Sequence, residues 1–159
     1  MKKYGYIGIC FLIAWAFCAC DDDDYSLGTP SDKTAALVGE WTMKSVHLTD
    51  EAGTKKEMDI TSFFHFDSYK VTFKSDKSFT IEGSTSTPNF VGLYSGTWSY
   101  DDAEAPLLIQ LTDGSTSSQF TLIAPPKEGT DLRMKFVRTS EDKAIVSYRY
   151  EMTKSGTID

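Results

Sequence analysis

The sequence predicts an all-β domain, an antiparallel up-and-down barrel of about eight strands with a short lid helix. Three observations carry that expectation. Beyond Leu37, apolar and polar residues alternate with period two in run after run, as strands with one face in a core and one in water require. The runs are short and separated by turn-forming residues, so sequential strands must lie antiparallel beside each other. One aromatic stretch, residues 59–66, breaks the alternation near the start.

The first strand is expected from Trp41 to Leu48. Its apolar set changes phase, Trp41 and Met43 on one face and Val46 and Leu48 on the other, which a bulge near Ser45 reconciles. The aromatic stretch Asp59-Ile60-Thr61-Ser62-Phe63-Phe64-His65-Phe66 follows. Asp59 or Thr61 can cap a short helix there, and its phenylalanines can cover one end of a barrel. Tyr69, Val71 and Phe73 then alternate with lysines and threonine, and Ser75-Asp76-Lys77-Ser78 leads into Phe79 and Ile81. Tyr94, Gly96, Trp98 and Tyr100 share a face; so do Leu107, Ile109 and Leu111. Asp113-Gly114 is the strongest hairpin signal in the chain. Phe120, Leu122 and Ala124 precede a loop marked by Pro125, Pro126 and Gly129. Leu132, Met134 and Phe136 pass through the turn Ser140-Glu141-Asp142-Lys143 to Val146, Tyr148, Tyr150 and Met152.

The N-terminus reads as an address. Lys2 and Lys3 precede an uncharged, largely apolar run from Tyr4 to Ala19, the layout of a secretory signal peptide. The run falls short of the ~20 residues of a spanning helix. All three cysteines, Cys10, Cys18 and Cys20, lie in this segment, so an exported mature chain has no internal disulfide. The organisation expected is a signal peptide over residues 1–19, an acidic tether over 20–35, and one barrel domain over 36–159. Phe17-Cys18-Ala19-Cys20 resembles a bacterial lipobox, which implies that Cys20 is lipidated and anchors the chain to a membrane. Asp21, Asp22, Asp23 and Asp24 follow directly. They resemble the acidic export signal of Bacteroidota lipoproteins, which implies an outer-membrane lipoprotein exposed at the cell surface.

Leu37-Val38-Gly39-Glu40-Trp41 resembles the Gly-x-Trp opening of lipocalins and lipocalin-like domains, and Gly96-Thr97-Trp98 repeats it mid-chain. The stretch from Leu37 to Lys154 is similar to lipocalin-like lipoproteins of gut Bacteroidota. That resemblance implies that Trp41 plugs one end of the barrel with an arginine packed over its ring; Arg149 is the matching candidate and Arg138 the substitute. It supplies no catalytic residue.

Composition narrows the function classes. The net charge is −7 with no basic stripe, which argues against nucleic acid. The two histidines, His47 and His65, lack the tight ligand spacing of a zinc site. There is no Gly-x-Ser-x-Gly elbow, and Asp101, Asp102 and Glu104 crowd one loop rather than face each other as glycosidase carboxylates do. No metal, cofactor or catalytic residue is therefore expected, and the chain reads as no enzyme. Phe63, Phe64, Phe66, Phe90 and Tyr94 fall in the lid or in loops and are the candidate ligand-binding residues at a barrel mouth. The leading expectation is a non-catalytic binding protein for a small apolar molecule or a glycan fragment. The alternative is a structural or interaction subunit of an envelope protein complex.

Overall fold

The computed structural model describes residues 32–156. The expected signal peptide over residues 1–19, Cys20 and the four aspartates that follow it lie outside the described residues. The chain enters through one helical turn, α1 (Thr34–Leu37). Nine strands follow among the described residues: β1 (Gly39–Asp50), β2 (Glu57–Asp59), β3 (Lys70–Phe73), β4 (Ser78–Glu82), β5 (Ser95–Tyr100), β6 (Leu108–Thr112), β7 (Ser117–Leu122), β8 (Leu132–Ser140) and β9 (Lys143–Gly156). All pair antiparallel, in the order β2-β1-β3-β4-β5-β6-β7-β8-β9, and β1 pairs β9 as well. Eight strands thus close an up-and-down barrel, and β2 is an extra strand along the upper half of β1. The expected all-β barrel is the one found, with one strand more than the alternation revealed. β2 escaped notice because all its residues are exposed, so no apolar period marks it.

Local chemistry explains the elements. β1 changes register between Met43 and Ser45, which is the bulge its phase shift requires, and Trp41, Met43 and Val46 all reach the core. Asp113 holds its hairpin by accepting from the backbone N–H groups of Ser115 and Thr116 at 2.9 and 2.7 Å. Glu141 and Asp142 both have positive φ, 51° and 60°, the two-residue turn whose twist suits a hairpin. The 59–66 stretch is not one helix. It forms two single 3₁₀ turns, Thr61–Phe63 and Phe66–Ser68, because His65 between them adopts a left-handed φ of 49°. Asp59 starts the first turn by accepting from the Thr61 N–H at 2.9 Å.

The core runs the length of the barrel. Trp41, Phe73, Phe79, Trp98, Ile109, Leu111, Phe120, Leu132, Tyr150 and Met152 fill it from all eight barrel strands. One void in this core has a volume of about 10 Å³ and is lined by Met43, Val71, Phe120, Met134, Tyr150 and Met152 among others. That is the room of at most a single water.

Candidate functional site

One end of the barrel is built from tryptophan. The Trp41 indole donates to the Leu37 carbonyl at 2.7 Å, so α1 is stitched across this end. The Trp98 indole donates to the Lys74 carbonyl at 3.3 Å. A lysine ammonium covers each ring: Lys154 lies 5.6 Å from the Trp41 centroid and Lys77 lies 4.0 Å from that of Trp98. The cation over Trp41 is therefore Lys154, a correction to the expected Arg149. Register gives the reason. Trp41 pairs with Lys154, whereas Arg149 pairs with His47, roughly 20 Å further along the strand. There Arg149 donates to Glu57 on β2 at 2.6 Å. Arg138 is no nearer, since it pairs with Val146.

The other end is the lid. Residues 60–69 and the long connection from Gly83 to Tyr94 meet over it. Phe66 is 1 % exposed and touches Phe64, Tyr69 and Phe90 ring to ring at 6.1 Å each. Phe90 stacks on Tyr148 of β9 at 4.1 Å and 13°. Phe64 meets Phe90 edge-on at 6.3 Å. Ile60, Val91 and Leu93 are buried beside them. Of the five aromatics read from the sequence, the structure brings Phe64, Phe66 and Phe90 together, and they fill the barrel end rather than line an opening. Phe63 and Tyr94 point outward, at 66 % and 68 % exposure.

Tyr94 instead borders a surface groove. β4 and β5 pair only from Ser78 to Thr80; beyond that the strands splay, with Ile81 N–H still donating to the Tyr94 carbonyl at 2.6 Å. The groove has a volume of about 230 Å³ and is lined by Tyr69, Ile81, Glu82, Gly83, Ser84, Thr85, Thr87, Asn89 and Tyr94. Hydroxyls hold its wall in place. Ser68 Oγ accepts from the Ser84 N–H at 3.2 Å, and Thr87 Oγ1 donates to the His65 carbonyl at 3.0 Å. Ser84 Oγ is 2.8 Å from both Ser86 Oγ and Thr87 Oγ1. Asn89 is spent on the loop itself, donating to the Leu93 carbonyl at 2.7 Å and accepting from the N–H groups of Val91 and Gly92. The wall is thus preorganised, which lowers the entropy lost on binding.

The family described as Domain of unknown function (DUF5004) matches residues 18–153. The chain belongs to this family. No curated protein and no solved structure matches the chain. For this DUF5004 member, sequence reasoning found Tyr94 but not its neighbours. Glu82 ends β4 and Thr85 lies in the loop beyond it, like any strand-to-loop residues, and only the splay of β4 from β5 makes them a wall. The second Gly-x-Trp motif was the available signal for Lys77 at the other end, since it repeats the setting of Trp41.

Among the described residues no His, Cys, Asp and Glu cluster is arranged to hold a metal. His47 Nδ1 lies 3.3 Å from Glu57, which Arg149 also engages. Burial pushes the phenols of Tyr69, Tyr100 and Tyr150 well above their ordinary range, so they stay neutral, and the hydroxyls of Tyr100 and Tyr150 are buried with no hydrogen-bond partner among the described residues.

Proposed function

We propose that this protein is a non-catalytic binding module that takes a glycan fragment in the groove beside its lid. It is held to the outer membrane by lipid on Cys20 and displayed at the cell surface through Asp21–Asp24. The observation that carries the reading is the groove: an exposed Tyr94 ring beside the Glu82 carboxylate, which has no partner among the described residues, and a hydroxyl-rich wall. An aromatic face suits the C–H face of a pyranose, and its polar edge suits the hydroxyls. A small apolar molecule inside the barrel is the weaker choice, because a void of about 10 Å³ holds none without repacking. α1 lies beside Trp41 at one end of the barrel, and the groove opens at the opposite end. The Gly39-Glu40-Trp41 opening fits a lipocalin-like ancestry in which the interior has been filled and the rim used instead.

The test of binding is retention on immobilised glycans by the full chain and by Tyr94→Ala. Retention should disappear in the variant. Binding of an apolar probe that Phe64→Ala weakens would return the site to the barrel mouth. The test of anchoring is metabolic labelling with a fatty-acid probe, which Cys20→Ala should abolish. Replacement of Asp21–Asp24 by alanine should leave labelling intact and hide the domain from protease added to whole cells.

A second reading, an interaction subunit with an envelope protein partner, is favoured by the exposed Met58 and Phe63, at 50 % and 66 %. Co-purification lost in a Met58→Ser, Phe63→Ser variant but kept in Tyr94→Ala would favour it over the groove.

A further inference from the structure

The groove's charge restricts what it can hold, given the saccharide reading on which this inference rests. Its lining contains one carboxylate, Glu82, and no lysine, arginine or histidine. The cation nearest in register is Lys70, opposite Glu82 across β3 and β4. Lys70 is taken by Glu40 at 3.0 Å on its other side. The Glu82 carboxylate has no hydrogen bond or ion pair among the described residues, whereas the hydroxyls of Ser84, Ser86 and Thr87 are bonded to one another. A preorganised wall thus carries one unspent acceptor pair beside one exposed aromatic face.

We propose that Glu82 and Tyr94 make the groove a site for uncharged sugars that present two adjacent hydroxyls, and that it rejects uronate-bearing and sulfated chains. Two carboxylate oxygens accept from two neighbouring hydroxyls at once, and such charge-assisted bonds are the strong ones. The Tyr94 ring covers the apolar face of the same sugar. An acidic sugar meets the opposite situation. It finds no guanidinium or ammonium to pair with, and its own charge faces Glu82. The surrounding field adds to the repulsion, since the chain carries a net charge of −7.

The experiment compares the full chain in detergent micelles with its E82Q, E82K and Tyr94→Ala variants. The probe is an array carrying neutral, uronate-containing and sulfated oligosaccharides, read at physiological salt. The wild-type protein should retain neutral members at least about tenfold better than acidic ones, a gap of about 1.4 kcal/mol. E82Q keeps the shape but loses the charge. It should weaken neutral binding severalfold and narrow the gap, and E82K should reverse the preference. Tyr94→Ala should lose every class. Acidic glycans retained as well as neutral ones by the wild type would overturn the selectivity while leaving the groove a saccharide site. A gap unchanged in E82Q and E82K would remove Glu82 from its cause. Retention of no glycan of any class would overturn both this inference and the saccharide reading.

Discussion

The two ends of this barrel are closed by different means. At the Trp41 end, each tryptophan follows a glycine by two residues on its own strand, donates its indole N–H to a backbone carbonyl and lies under a lysine. The closure is made of short-range motif and ladder. At the lid end, rings from two connections pack edge-on or tilted, one of them stacks on Tyr148 of β9, and hydroxyls tie one loop to the other. The closure there is made of long-range contact between segments with little regular structure. The difference teaches that one end is fixed by a short motif and strand register and the other by contacts between loops far apart in the chain.

The sharpest way to break this contrast is at Trp41. Truncation of a buried aromatic leaves a large cavity, so Trp41→Ala should lower unfolding free energy by about 3–5 kcal/mol in urea melts. A loss near zero would mean that α1 and Trp41 only cap a barrel that stands without them.

The next effect is at Gly96. Its φ is +153°, and a β-carbon there would come within 2.0 Å of the Thr112 carbonyl oxygen. Gly96→Ala should cost about 1–3 kcal/mol, and more than Gly39→Ala. At Gly39 the nearest obstacle, at 2.4 Å, is the flexible Lys154 side chain, with the Gly156 carbonyl at 2.8 Å. Denaturation of the pair of variants checks the order.

At the lid, Phe64 is 38 % exposed and contributes mainly ring contacts. Phe64→Ala should cost about 1 kcal/mol and should speed amide exchange in residues 60–69 without touching β8 and β9. If it costs as much as Trp41→Ala, the two ends are one cooperative unit and the contrast fails.

Acid should act on both ends. Lys70 and Ser155 hold Glu40 below its ordinary value of 4.5, and Lys135 and Ser147 do the same for Glu51. Lys44 and Thr153 lower Asp131 from 3.8, and Thr61 lowers Asp59. Groups whose folded values are depressed stabilise fully above the unfolded value and lose that contribution as pH falls through the folded one. The melting temperature should therefore be flat in this respect above about pH 5 and fall progressively below about pH 4.5. Rising stability over that window would show that these pairs do not form in solution.

The smallest effect lies between the two ends. Tyr150 is buried with its hydroxyl unpartnered, at the void in the middle of the core. Removing an unpaired buried polar group is close to neutral or stabilising, so Tyr150→Phe should leave the melt unchanged or raise it slightly. A clear loss would reveal a partner for that hydroxyl.

Much of this was legible in advance, for a physical reason that also sets the limit. A strand with one wet face must alternate, so Val71 and Phe73, Ile109 and Leu111, and Leu132 and Met134 announced their strands. The phase change between Met43 and Val46 announced the bulge. Asp113-Gly114 and the glycines two residues ahead of Trp41 and Trp98 announced backbone shapes that few residues tolerate. Each of these signals is local, because strand burial and turn geometry act on neighbours in the chain. The sequence by itself therefore determined the barrel and its tryptophan end. Only the tertiary structure decided that Lys154 rather than Arg149 covers Trp41, because register across β1 and β9 depends on the bulges between them. Only the tertiary structure decided that Phe66 and Phe90 seal the interior while Tyr94 faces out, and that Glu82 lines the same groove with no partner among the described residues. Those outcomes depend on where β4 and β5 part and on which loop reaches which, contacts between residues far apart in the chain that no local period records.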